Sequence, residues 1–276
     1  MNTYIENHSH FGKTLFVESG NLKLGIPLDF GIRISYLSYK GGKNLFYEQP
    51  HDMTELATDE GWRVYGGHRV WLAPECPEDY APDNMPISYE ISEGKIILKQ
   101  STDKRLQVEK CVEISFVDKD TVRVVNKLRS TADKERRFSV WAVTSMCGGG
   151  TEYIPLKYGE PSYSPVTNIP MWFYTDLGDE RAEYSKNLIK LSHRPYPTKY
   201  KIGVGHPAGS VKYVNHGVCF EKIFEILDDK QYPDSNVSYE TFMCDYMVEV
   251  ESLSPLYDVA PNQTVSHTEL WRLSLE

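Results

Sequence analysis

LQVEKCVEISFV (residues 106–117), then Asp118-Lys119-Asp120, then TVRVVNKL (121–128), is the stretch whose reading decides the fold. Leu106, Val108, Val112, Ile114 and Phe116 fall on one side of an extended chain, and Val122, Val124 and Leu128 repeat the alternation after the turn. Side chains of a strand alternate between faces, so the pattern predicts a hairpin with one face buried. Just upstream, ISYEIS, the turn SEGK and KIILKQ predict a second hairpin. Outward from these, TLFVES, RISYLSY, FSVWAVTSM, NLIKLSH, GSVKYV, VCFEKIFEI, SYETFMCDYMVEVESL and VSHTELWRLSL all read as strands. Only DMTELATDEG (52–61) has helical character. Sequential hairpins with so little helix predict an all-β sandwich rather than a parallel sheet with crossover helices.

Composition narrows the function. The 276 residues carry a formal charge of −9, which argues against a nucleic-acid partner, since phosphate recognition needs a basic face. No apolar run is long enough for a transmembrane helix, so no membrane partner is expected. The start, MNTYIENHSHFGKTLF, has neither a basic nor an apolar leader region, and the expectation is a cytoplasmic protein with residues 1–13 loose. His8 and His10 in that terminus read as incidental. Five scattered cysteines, never in a C-x-x-C pair, predict free thiols, no zinc and no disulfide framework. No phosphate loop, G-x-G-x-x-G or G-x-S-x-G occurs, so no cofactor is expected. The Gly-, Pro- and Tyr-rich stretch 148–170 reads as a long loop within one domain spanning 1–276. The 19 tyrosines and five tryptophans suit strands and also supply stacking surfaces for sugars.

Two polar clusters stand out. YGGHRVWLAPE (65–75) sets His68, Val70 and Leu72 on one face and Arg69 and Trp71 on the other, with two glycines permitting close approach of the backbone. CDYMVEVESL sets Asp245, Met247, Glu249 and Glu251 on one face, opposite Tyr246, Val248 and Val250. A carboxylate row of this kind is either a solvated strand side or a source of a general base in a recessed site.

Several segments in order along the chain resemble the aldose 1-epimerase-like, or galactose mutarotase-like, superfamily. DFGIRISYLSYKGGKNLFYE (29–48) is similar to its opening, YGGHRVWLAPE to the glycine-containing strand that follows, and FSVWAVTSM to its central active-site strand. The C-terminal run has Glu251-Ser252-Leu253-Ser254-Pro255-Leu256 and Val259-Ala260-Pro261-Asn262 where the superfamily has its base glutamate, "P" and "L-x-P-G". The resemblance covers roughly residues 14–275. The chain is most similar to a branch of that superfamily with GGHR-x-W-x-APE and E-x-L-x-P-L motifs. The resemblance implies a galactose mutarotase-like β-supersandwich of two large twisted antiparallel sheets, one of them curved to offer a concave sugar-binding face. It also implies an aldose 1-epimerase-like isomerase that epimerises or mutarotates a sugar or sugar acid, with Glu251 as base. The usual "N-H-x-Y-F/W-N-L" segment is here Trp141-Ala142-Val143-Thr144-Ser145-Met146, without histidine. His68 is the substitute acid that the motif offers, with Arg69, Trp71, Glu75, Trp141 and Glu249 as substrate-binding groups. His68 and Arg69 reach one site only if a bulge re-aims one of them. The alternative is a non-catalytic carbohydrate-binding protein that kept the sugar face and lost the acid histidine. The expected partner is a small-molecule carbohydrate; its identity and the oligomeric state do not follow from the residues.

Overall fold

The computed structural model describes residues 1–50, 53, 58, 60–157, 163 and 165–276. Among these, twenty strands carry the architecture, with only two four-residue helical turns, Pro77–Tyr80 and Pro233–Asn236. All strand pairings are antiparallel. Most of the helix expected at 52–61 lies outside the described residues.

Three sheets form. The larger has ten strands, in the order Ala182–Tyr184, Leu188–Ser192, Thr151–Pro155, Ser210–Asn215, Val218–Phe224, Thr264–Leu275, Thr121–Ser130, Val108–Phe116, Lys95–Lys99 and Ser88–Ser92. It contains both hairpins expected from the alternation, with Ile114 opposite Val124 and Val112 opposite Asn126. The smaller sheet runs Tyr200–Val204, Tyr239–Met243, Met247–Leu253 and Arg136–Cys147. On its other side the long central strand, Arg136–Cys147, pairs with Gly67–Ala73 and, near its start, with Tyr257–Val259. A four-stranded N-terminal sheet (Asn2–His8, Gly12–Ser19, Leu22–Pro27, Tyr36–Tyr39) joins the smaller one through bridges at Ile34–His68 and Phe46–Met146.

The two large sheets face each other across one apolar core. Val70, Leu72, Val140, Val248, Val250, Ile202 and Tyr239 from the smaller sheet meet Ile96, Ile114, Val122, Val124, Phe220 and Trp271 from the larger. Period-two alternation forces the remaining side chains of the smaller sheet outward. There Trp62, Val64, Trp71, Trp141, Val143, Met247 and Leu253 build a second apolar cluster on the sheet's outer face.

Three expectations need correction. Residues 2–8 are not loose: they pair from Asn2–Glu18 to His8–Gly12, and the His8 ring stacks on Phe11 at 4.6 Å. The segment 148–170 is not loop throughout, because Thr151–Pro155 is a strand flanked by two neighbours, where Tyr153 pairs with both Lys190 and Lys212. SYETFMCDYMVEVESL is not one strand but two, Tyr239–Met243 and Met247–Leu253, folded back on each other with Glu240 opposite Glu251.

Candidate functional site

The paired glycines open the site strand. Gly66 and Gly67 have φ of +92° and +71°, and a Cβ on them would sit 1.8 Å from the Tyr47 carbonyl oxygen and 2.4 Å from that of Ile34. The close approach they allow is thus to the protein's own backbone, which passes over the start of the strand. From there His68 and Arg69 diverge to opposite faces with no bulge between them, since Ser145–Gly67 to Ser139–Ala73 pair in unbroken register.

His68 turns into the core. Its ring nitrogens lie 2.9 Å from Thr144 Oγ1 and 3.0 Å from Asn126 Oδ1, and Trp271 packs edge-on at 4.8 Å. Burial pushes its pKa down to about 4, with the Glu269 carboxylate 3.8 Å away only partly opposing. The structure does not bring His68 to the outer face, so the expected acid is absent from the cavity. The physical reason is the uninterrupted alternation: no extra residue re-aims the imidazole.

Arg69, Trp71, Glu75, Trp141 and Glu249 do converge. They line one cavity of about 490 Å³ on the outer face of the smaller sheet. Cross-strand pairing explains the convergence, because Trp71 is opposite Trp141 and Ser145 is opposite Glu249. The Arg69 guanidinium lies 4.4 Å from the Trp71 ring centre and donates from Nη2 to Glu249 Oε1 at 3.3 Å. Ser145 Oγ donates to the same Glu249 oxygen at 2.8 Å. Arg69 is only 4% exposed, yet its Nε and Nη1 have no hydrogen-bond partner among the described residues. The same holds for the indole nitrogens of Trp62 and Trp141. Buried donors without acceptors are costly, and here they sit on the walls of one cavity. Glu75, on the exposed rim, accepts a hydrogen bond from the Tyr80 hydroxyl.

Glu251 shares a lateral row with Arg69, Val143 and Glu240 and therefore faces the same outer side. It is fully buried beneath the cavity, and neither carboxylate oxygen has a hydrogen-bond partner among the described residues. Its charged neighbour is Lys201, whose Nζ is 3.6 Å from Glu251 Oε2 and 2.9 Å from Glu240 Oε2. That ammonium is also 4.6 Å from the ring centres of both Trp141 and Trp172. Burial raises the Glu251 pKa to about 7, against the pull of Lys201 and with Glu249 and Glu75 adding to the rise. Burial disfavours the Lys201 charge, but Glu251 and Glu240 outweigh it and hold the pKa above that of an ordinary lysine.

Several lining residues carried no sequence signal of their own. Trp62, Tyr80, Trp172, Tyr174, Lys199, Lys201 and Phe242 join from loops and from strands distant in sequence. The Cys244–Tyr246 turn was the available signal for Glu240: reading it as a hairpin places Glu240 beside Glu251. All five cysteines are free, and no three His, Cys, Asp or Glu residues among those described are grouped to hold a metal ion. No helix among the described residues is long and apolar enough to cross a membrane.

No family model matches the chain, and no curated protein matches it in sequence. Solved structures do. The Slr1438 protein from Synechocystis sp. PCC 6803 superposes with a TM-score of 0.62 at 14% identity, over 100% of this chain and 96% of that one. A galactose mutarotase-like protein from Lactobacillus casei gives 0.61 at 10% identity, over 95% of this chain and 100% of that one. A galactose mutarotase related enzyme from Lactobacillus acidophilus gives 0.55 at 9% identity, over 95% and 97%. At such identities the likeness is one of fold, and the fold is the galactose mutarotase-like β-sandwich.

Proposed function

We propose that the chain binds a sugar or sugar acid in the cavity of the smaller sheet and interconverts its anomers, with Glu251 as general base. One observation carries the reading: a carboxylate without hydrogen-bond partners, held near a pKa of 7, lies under an aromatic-walled cavity lined by unpaired donors. A base is most effective when its pKa is near the working pH. Trp71 and Trp141 supply apolar planes for the ring, and Arg69, Glu75 and Glu249 hold its hydroxyls or carboxylate. In the reaction Glu251 takes the proton of the anomeric hydroxyl, the hydroxyl oxygen becomes the carbonyl, and the bond from the anomeric carbon to the ring oxygen breaks, the ring oxygen keeping the electron pair and taking a proton from water. Rotation and reclosure give the other anomer. The fold shared with galactose mutarotase-like proteins supports this reading without fixing the substrate.

A second reading, carbohydrate binding without catalysis, is favoured by two observations. Glu251 has no exposed surface and lies under Lys201, and no histidine is among the lining residues. Exchange between anomers, followed by NMR over a panel of aldoses and uronic acids, separates the two. Accelerated exchange supports the first reading. Calorimetric binding with no exchange on any sugar supports the second, and neither binding nor exchange overturns both.

A further inference from the structure

A second cavity, of about 530 Å³, adjoins the first: Glu75, Tyr80, Trp141 and Trp172 line both, whereas Cys76, Asp234 and Glu240 line only the second of the two. Each volume by itself falls within the range of about 300–1,000 Å³ usual for small-molecule pockets. The seam between them is aromatic. Lys201 Nζ lies 4.6 Å from the ring centres of both Trp141 and Trp172, so two indoles flank one ammonium where the cavities meet. The same ammonium reaches Glu251 under the first cavity at 3.6 Å and Glu240 in the second at 2.9 Å.

Unmatched polar atoms occur on both sides of the seam and in it. On the first side they are Arg69 Nε and Nη1 and the Trp62 indole nitrogen. In the shared wall Trp141, 3% exposed, has an indole nitrogen with no partner among the described residues. On the second side Glu240 is 1% exposed; Lys201 pairs with its Oε2, and its Oε1 has no hydrogen-bond partner among the described residues. Buried polar groups are normally matched, so leftover donors and acceptors across a seam point to one ligand that spans it. The two sides also differ in chemistry. Arg69, Lys199 and Lys201 stand among the carboxylates of the first cavity, whereas Glu75, Asp234 and Glu240 line the second with no cation among the described residues. Carboxyl oxygens without a cation accept from hydroxyl groups.

We infer that the ligand is a reducing disaccharide, or the reducing end of a longer saccharide, with its terminal ring in the first cavity and the next ring in the second. The inference rests on the sugar-binding reading of the first cavity. Glu251 lies beneath that cavity, so the free anomeric hydroxyl belongs to the ring held there, and the second ring is attached through another of its oxygens. Trp71 and Trp141 offer apolar planes to the first ring, Trp141 and Trp172 to the second. A single ring fills one cavity and leaves the polar atoms of the other unmatched.

Calorimetric titration of the wild type tests this, comparing D-glucose and D-galactose with laminaribiose, cellobiose, maltose, lactose and gentiobiose. At least one disaccharide is expected to bind about tenfold or more tightly than either monosaccharide, the gain of a second ring's hydrogen bonds and stacking. Two variants then place that ring. Cys76 is half-buried on extended backbone, with φ of −138°, so Cys76→Trp fills the second cavity and should bring the disaccharide down to monosaccharide affinity. Asp234 has φ of +48°, which glycine adopts freely, so Asp234→Gly removes a carboxyl group without straining the turn. It should weaken the disaccharide alone, by about two- to tenfold. Should Cys76→Trp fail to fold, Asp234→Gly decides. Monosaccharides bound as tightly as every disaccharide, or a disaccharide gain that survives the variants, overturn the inference and leave the sugar-binding reading standing. No binding of any saccharide overturns both.

Discussion

Lys222 Nζ donates a hydrogen bond to the carbonyl oxygen of Val250 at 2.8 Å, so a cation inside the core holds the backbone one residue before Glu251. The same ammonium donates to the Ala142 carbonyl at 3.1 Å and pairs with Glu269 at 2.8 Å. It thereby ties together the two strands that carry Trp141, Glu249 and Glu251 on their other face.

Lys222→Met is expected to destabilise the fold by about 3–5 kcal/mol, the usual cost of leaving one member of a buried ion pair alone. Glu269 is fully buried, so its carboxylate would have no cation to face. Adding Glu269→Gln should recover part of the loss, because the orphaned charge is then gone. Urea denaturation of wild type and the two variants checks this, and a single-variant cost below about 1 kcal/mol would mean that the pair is not stabilising.

The part of the stability that rests on His68 and His267 should fall as the pH drops from about 6.5 to 4. Burial lowers the His68 and His267 pKa values to about 4 in the folded chain. The unfolded chain, with ordinary histidines near 6.5, therefore binds more protons in this window. The stabilisation is complete above about 6.5 and is lost on the way down to 4, on the order of 3 kcal/mol for each histidine at most. Glu269 extends the decline: burial would raise it, but Lys222, His68 and His267 outweigh that and hold it down at about 2. Its contribution is present above the ordinary carboxylate range and fades below it. Denaturation midpoints measured from pH 4 to 7.5 should show wild type losing stability relative to His68→Gln as the pH falls through this window.

The strands of the larger sheet were legible because Val108–Phe116 and Thr121–Ser130 alternate between core and solvent, and polarity then reports the face. Gly67–Ala73 is buried along its whole length, between the core on one side and the cavity on the other. There polarity no longer tells which face is which, and a histidine in the core resembles a histidine in a site. Glu249 and Glu251 were placed on a common face because the spacing of two needs no knowledge of neighbours. Lys201 was out of reach, since its approach to Glu251 depends on a strand distant in sequence pairing beside Tyr239–Met243 and in which register. Strand pairing is a long-range property that local alternation does not encode.

Trp172→Ala is expected to weaken sugar binding about tenfold while leaving the melting temperature within a degree or two. The residue is half-exposed on a loop and lines the cavity, with its ring against the Lys201 ammonium, so its loss removes a stacking plane and little buried core surface. Trp71→Ala is the contrast: at 3% exposure, against Trp141 and the Arg69 guanidinium, it should lower both affinity and stability. Calorimetric titration and thermal melts of the two variants separate the roles. Equal affinity in wild type and Trp172→Ala would place the sugar elsewhere.

Glu251→Gln should change catalysis and stability in opposite directions. The amide keeps the shape and can still hydrogen-bond a hydroxyl, but it cannot accept a proton at neutral pH. Anomer exchange is therefore expected to fall by about 10²–10⁴-fold, and the rising limb of the rate, centred near the Glu251 pKa of about 7, should vanish. The stability sign follows from the raised pKa. Burial lifts the folded value to about 7, above that of the unfolded chain, so the folded state holds this proton more tightly. The favourable contribution is complete below the ordinary carboxylate range and is lost as the pH rises through 7. At pH 8 the wild type thus carries a buried charge that the variant lacks, and Glu251→Gln should be more stable by roughly 1–3 kcal/mol. At pH 5 the two should unfold almost alike. A group kept at a cost to the fold is expected where function requires the charge. A variant less stable at pH 8 would show that the Lys201–Glu251 contact outweighs the burial penalty, and unchanged exchange would take Glu251 out of the mechanism.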